Sequence, residues 1–392
     1  MRILAVVLIA ALSLLLPATT GATEAVDDAT PVVFDAPTAT GAFGDAIRFS
    51  TTFSAEELPL RIELITDTPE GGSRHVGVTA VSPIGDGRWQ ATEVRTGHVV
   101  PNTAIDYAFR AVFPDTDVVG PSARHRVADD RVDWQRLTGD RVTVWWHRGD
   151  EEFARRALEI AERAMDEASE LLGVEDVEAV DFIIYSDDRT FREAMGPATR
   201  ENVGGQAHPD IRTLFGLISP AQIRSDWVEE LVVHELAHLV FDSAVRNAYS
   251  YPPRWLNEGL AVYLSTGYTS GDRAQVEGAA GAGTIIPLDG LGGQFPTRPL
   301  RFGLAYAESV SAVDHFVELH GEDRLVELIN SFGDGLGLDE AFIAATGASF
   351  ADFDDAWLAS VGAERPRPFG PVEAPSGPIP DAWESRSDPL LP

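Results

Sequence analysis

The sequence predicts a multidomain α+β protein: a β-sandwich, then an α+β domain that closes in helices. Three observations predict it. Short runs of alternating hydrophobicity recur between turn signals over residues 30–128. After Asp129-Asp130 the apolar spacing changes to three and four residues. The chain has 392 residues, more than one domain usually holds. Hydrophobic residues make up 44% of it, with Gly and Pro spread throughout, which is globular rather than disordered or fibrous composition.

The first 22 residues read as an export signal. Met1-Arg2 supplies a positive end, residues 3–16 are apolar apart from Ser13, and Thr20-Gly21-Ala22 offers a small-residue cleavage site. The run is short for a bilayer span of ~20 residues. The expectation is therefore a secreted, extracellular or cell-envelope protein, membrane-bound only if the signal stays uncleaved. Cys is absent, which excludes disulfide staples, a lipidated Cys and thiol catalysis. The 62 acidic and 30 basic residues leave a formal charge of −32, and every basic residue is Arg. Lysine Schiff-base chemistry and Lys-dependent phosphate loops are thereby excluded. So acidic a surface repels nucleic acid, and no such partner is expected.

Strands are expected at 46–53, 58–66, 75–81, 89–94, 104–113 and 122–127. Turn signals such as Pro69-Glu70-Gly71-Gly72 and Gly85-Asp86-Gly87 separate them. Residues 101–111 resemble the late strand of fibronectin type III or immunoglobulin-like domains, which would make Tyr107 a corner tyrosine capping nearby backbone. The second unit should begin with a strand at 141–146 and a helix at 150–172. A strand at 180–185, a short helix at 190–195 and a strand at 211–218 follow. A helix at 226–244 opens at Asp226, with Glu229 placed to complete a capping box. After Pro252-Pro253 comes a helix at 254–266, then a Gly-rich loop at 267–299. Helices at 304–320, 323–331, 338–346 and 350–361 close the unit. The remainder is a Pro-rich tail with no apolar period.

His234-Glu235-Leu236-Ala237-His238 is H-E-x-x-H on a predicted helix. Residues four apart share a helix face, so both imidazoles can reach one ion. Glu235 falls beside the open coordination position, where it can take a proton from a water. Twenty residues after His238, Glu258 lies on the next predicted helix, and an antiparallel helix pair can return its carboxylate to the same point. His, His and Glu with one position open is the catalytic rather than the structural zinc pattern. Asn257 is placed to orient a ligand, and Gly259 to let helices approach closely.

These segments, with Trp255-Leu256-Asn257-Glu258-Gly259-Leu260-Ala261, resemble the gluzincin metallopeptidases. The resemblance is nearest to bacterial peptidase MA-like domains and extends over about 141–361. It implies Zn2+ held by His234, His238 and Glu258, with Glu235 as base. It also implies an edge strand that pairs with extended substrate, expected here at 212–218. By position Tyr306 resembles the oxyanion donor of these domains, and Tyr263, His315 and His208 are weaker candidates. The Gly-Ala-Met-Glu-Asn segment with which aminopeptidases hold a free amine is absent, which favours an endopeptidase, and no thermolysin-like late His motif follows.

The expected fold class is therefore an N-terminal immunoglobulin/fibronectin III-like β-sandwich followed by a thermolysin-like (gluzincin) α+β catalytic domain with C-terminal helices. Its parts would be a signal peptide at 1–22, the sandwich at 30–128, the zinc peptidase domain at 138–362 and the tail at 363–392. The expected function is a secreted zinc metallopeptidase acting on peptide or protein substrates. The alternative is a non-catalytic or latent binding protein, whose sandwich recognises a partner or covers the cleft while the zinc domain is structural.

Overall fold

The computed structural model describes residues 32–68, 74–197, 204–247 and 250–365. The signal segment, the turn at 69–72 and the tail beyond 365 lie outside the described residues. The N-terminal part contains β1 (Val32–Phe34), β2 (Thr38–Thr40), β3 (Ile47–Ala55), β4 (Arg61–Asp67), β5 (Arg74–Val78), β6 (Ala80–Gly85), β7 (Arg88–Arg95), β8 (Ala104–Val112) and β9 (Asp117–Arg126). They form two antiparallel sheets, one ordered β1-β3-β7-β6 with β2 beside β3, the other β5-β4-β8-β9. Alternation explains why the sheets face each other. Phe49 and Phe53 from one and Leu64, Tyr107 and Phe109 from the other meet in one core. Each such buried aromatic contributes roughly 1.5–3 kcal/mol.

Two expectations change here. The run at 75–81 is not one strand: at Thr79 the chain steps from one sheet to the other, with Thr79 N–H donating to the Ile62 carbonyl at 2.9 Å. Alternating hydrophobicity continues through the step, so pattern alone hides it. Tyr107 does donate to backbone, but to the Pro37 carbonyl at 3.4 Å, 70 residues earlier in the chain. It ties the strands to the N-terminal segment and does not cap its own corner.

The second part contains β10 (Gln135–Thr138), β11 (Val142–Trp146), α1 (Glu151–Leu172), β12 (Val180–Tyr185), α2 (Asp188–Met195), β13 (Gly205–His208) and β14 (Thr213–Leu217). It continues with α3 (Asp226–Val245), α4 (Arg254–Ser265), α5 (Ser270–Gly281), α6 (Pro299–His320), α7 (Glu322–Gly333), α8 (Leu338–Thr346) and α9 (Phe350–Ser360). The five strands run β10-β11-β12-β14-β13; the three inner ones are parallel and both edges antiparallel. The expected edge at 212–218 is thus wrong. β14 is interior, and β13 is the edge beside α3.

One face of this sheet turns Val144, Phe182 and Ile184 into the helical core. The other turns Ile183, Tyr185 and Phe215 toward α2 and toward Phe43 and Val100 of the sandwich. Asn102 seals that contact from a left-handed conformation (φ 71°), its amide donating to Asp181 Oδ2 at 2.9 Å and Thr213 Oγ1 at 2.7 Å. The sandwich therefore sits on the sheet face opposite α3.

The start of α3 differs from the capping box expected. Ser225 is the N-cap without a side-chain cap bond, Asp226 lies in the first turn, and Glu229 is taken by Arg156 and Arg163 of α1. Helix α5 occupies part of the expected Gly-rich loop. Thr269 and Asp272 form a capping box, and Val276 and Ala279 bury its inner face despite three glycines. Helix α6 begins five residues earlier than expected, with Pro299 in its first turn. Among the described residues no helix is long and apolar enough to cross a membrane.

Candidate active site

Helices α3 and α4 cross where their small and polar positions meet. His234 and His238 are one turn apart on α3, and their Nε2 atoms lie 3.2 Å from each other. Glu258, buried on α4, brings Oε2 to 3.6 Å from each of those nitrogens. Close approach of α6 to α4 depends on Gly259, where a Cβ would stand 2.5 Å from the Ser309 carbonyl oxygen.

This trio is the one group among the described residues whose His, Asp and Glu atoms converge closely enough to hold a metal ion. Two details test the fit. Ligand atoms of a tetrahedral ion with bonds of about 2.0–2.2 Å lie about 3.3–3.6 Å apart. The observed spacing matches that triangle. Glu258 Oε2 is also buried with no hydrogen-bond partner, an arrangement costly for a carboxylate unless a cation completes it. The residues present fit zinc.

Neighbouring groups orient two of the three side chains. His238 Nδ1–H donates to Asn257 Oδ1 at 2.8 Å, which turns the Nε2 lone pair toward Glu258. Arg254 Nε and Nη2 both donate to Glu258 Oε1, at 3.0 and 2.8 Å. Burial alone would raise the Glu258 carboxyl. The positive charges of His238, His234 and Arg254 outweigh it and hold the pKa at about 2. The ligand is thus ionised at any physiological pH.

Glu235 lies between this trio and the sheet edge. Its Oε2 accepts the Ala207 N–H of β13 at 2.8 Å, and Gly205 leaves the room, since a Cβ there would meet Glu235 Cγ at 3.1 Å. Burial pushes its pKa up, the Glu258 charge adds to that, and His238, the Ala207 N–H and His208 oppose it. A carboxyl raised in this way holds a proton more readily than an ordinary glutamate, as a proton carrier must.

Tyr306 reaches the same cleft from the second turn of α6, its ring 6.2 Å from that of His234 between centroids. Burial first, then the Glu258 charge, raises its pKa, so it stays a donor. His208 also lines the cleft, near Glu235. The other two candidates lie elsewhere. Tyr263 donates to Glu322 at 3.2 Å, and the His315 ring packs against Phe353.

The cleft encloses about 530 Å3 and is lined from Gly205 to Pro209 on one side and by Tyr251, Arg254, Phe302 and Tyr306 on the other. A larger groove of about 1060 Å3 lies behind α6, between Ile286 and Arg301, but it holds no such ligand set. No described residue of the sandwich lines this cleft. Arg254 is the functional residue that reading the sequence missed, although its position four residues before Glu258 on one helix face was visible.

Comparison with known proteins now has a geometry to meet. The family model of the Peptidase MA superfamily matches residues 160–363. A structure of an aminopeptidase N family protein from Idiomarina loihiensis is 10% identical, covering 86% of this chain and 74% of that one with a TM-score of 0.41. An M1 zinc metallopeptidase variant from Deinococcus radiodurans, bound to a Tyr-Ser-Ala substrate, is 14% identical, covering 86% and 95% with a TM-score of 0.37. No curated protein matches the sequence. The family match spans just over half of the chain and takes in His234, Glu235, His238 and Glu258, and this protein belongs to the Peptidase MA superfamily of zinc metallopeptidases.

Proposed function

We propose that the chain is an exported zinc endopeptidase in which His234, His238 and Glu258 hold the metal and Glu235 is the general base. The observation that carries this is the convergence of two imidazole nitrogens and one orphaned carboxylate oxygen within 3.6 Å, beside the Glu235 carboxyl and an open cleft. Zinc, when bound, supplies a Lewis acid that polarises a carbonyl and acidifies a water.

The chain's own residues do the rest. The outward edge of β13 presents backbone groups to an extended peptide, which would exchange places with Glu235 at the Ala207 N–H. Glu235 takes a proton from the attacking water and returns it to the leaving amine. The Tyr306 hydroxyl donates to the oxygen that gains charge. Both carboxylates lining the described cleft, Glu235 and Glu258, are committed to these tasks. That supports cleavage within a chain over capture of a free amino end. Export rests on the first 22 residues, and the sandwich is read as an immunoglobulin/fibronectin III-like module beside a thermolysin-like catalytic fold.

The test is cleavage of a quenched peptide library whose members have free or blocked amino ends. Chelator-sensitive cleavage of blocked peptides is expected. Cleavage confined to free amino ends would overturn the endopeptidase reading, and none by the zinc-loaded chain would overturn the enzyme.

A further inference from the structure

We propose that Arg254 is a positioning residue that restrains Glu258 to a single free oxygen and so keeps one coordination position open for substrate. This rests on the zinc reading above and goes one step beyond it. An arginine facing a carboxylate usually pairs its two nitrogens with two oxygens. Here both donors, Nε at 3.0 Å and Nη2 at 2.8 Å, converge on Oε1 alone. The consequence is directional. Oε1 is held away, and Oε2 is left without a partner at 3.6 Å from both imidazole nitrogens.

Arg254 can impose this because it is itself fixed at three points. Its backbone N–H donates to the Gly292 carbonyl at 2.9 Å, pinning the first turn of α4 to the preceding loop. Its guanidinium lies 4.7 Å over the ring of Phe295, a residue only 1% exposed. It also stands four residues before Glu258, where a helix stacks side chains on one face. Phe295 in turn packs edge-on against Tyr306, ring centroids 5.4 Å apart. One cation–π contact thereby sets both the ligand carboxylate and the cleft tyrosine.

The terminal torsion of a glutamate is broad and roughly two-fold. Released from Arg254, Glu258 could turn and offer both oxygens to one ion, filling the position that a substrate carbonyl needs. Lysine cannot replace the fork, since it is a point charge on a flexible stem.

The experiment loads the full chain with Co2+ or Zn2+ and compares the parent with Arg254→Gln, Arg254→Lys and Phe295→Ala. Two readouts other than turnover decide it: zinc affinity by chelator competition, and the visible absorption of the cobalt form, strong for four-coordinate and weak for five-coordinate ions. For R254Q the expected result is a zinc affinity about 10–100-fold weaker, as for other outer-shell partners, with a cobalt spectrum shifted to the weak form. R254K and F295A should move the same way by less, and they carry the test if R254Q does not fold. Parental affinity, or weakened affinity with the parental cobalt spectrum, would overturn the restraint. A parent that takes up neither ion overturns the zinc site itself, and the restraint with it.

Discussion

Asn257 Oδ1 accepts a hydrogen bond from His238 Nδ1 at 2.8 Å, so the helix that delivers the third ligand also fixes the tautomer of the second. Adjacent positions on α4 thus do two jobs at one centre: Asn257 turns an imidazole and Glu258 supplies a carboxylate. Asn257→Leu removes the acceptor while keeping the branching of the side chain, and adds no charge. Zinc affinity should fall about 10–100-fold, measured by chelator competition. Unchanged affinity would show that His238 needs no outer partner.

Glu235 is not one of the three converging side chains, and its Oε2 accepts the Ala207 N–H of the sheet edge. Replacing it with Gln keeps the shape and the acceptor oxygen but removes the base. Turnover should fall by about 10²–10⁴ with zinc content unchanged by metal analysis. A Glu235→Gln protein that is fully active with zinc still bound would leave the proton transfer without its carrier.

The site was more legible than the frame around it, for a physical reason. His234, Glu235 and His238 are related by helix geometry, which spacing in the chain fixes before any tertiary contact forms. Glu258 followed because an antiparallel helix pair is a short-range device. The substrate-facing edge was misplaced because edge status is a property of pairing. Thr213–Leu217 has the apolar run of a strand buried on both sides, and four residues, Gly205–His208, were too short and polar to register as its neighbour. Helix α5 was hidden by glycines at 271, 278 and 281, whose cost is offset by one capping box and the burial of Val276. Arg254 had a sequence signal, an i to i+4 ion pair, but such pairs are so often mere surface decoration that spacing alone does not pick this one out.

Tyr306 is held by rings on two sides, Phe302 at 5.0 Å and Phe295 at 5.4 Å between centroids. Tyr306→Phe keeps that packing and deletes only the hydroxyl. The catalytic constant should drop about 10²–10³-fold, the usual cost of one oxyanion donor, while zinc affinity and melting temperature stay near parental values. A loss smaller than threefold would assign the residue to packing.

Gly259 faces the backbone of α6, with a Cβ there 2.5 Å from the Ser309 carbonyl oxygen and 2.9 Å from Val313 Cγ2. Backbone cannot rotate away as a side chain can, so Gly259→Ala must push the helices apart. Overpacking of this kind costs about 1–3 kcal/mol, and the shift should carry Glu258 off its position. Lower thermal stability and weaker zinc binding are expected together. An unfolding curve and affinity equal to the parent's would mean that α4 and α6 separate freely.

Glu308 is fully buried on α6, with Oε1 accepting the Ile286 N–H at 3.0 Å and Oε2 without a partner. Burial pushes its pKa from 4.5 up to about 8. The folded chain therefore keeps a proton that the unfolded chain releases. Its contribution is fully present below pH ~4.5, declines as pH rises toward 8 and levels off above that. The span corresponds to a loss on the order of 5 kcal/mol at most. Glu308→Gln keeps the acceptor for Ile286 and cannot ionise. Without metal, the variant should unfold at a higher temperature than the parent above pH 8, and the gap should close toward pH 5. Parallel melting curves across that range would show that water reaches Oε2 and that the carboxyl ionises in place at little cost.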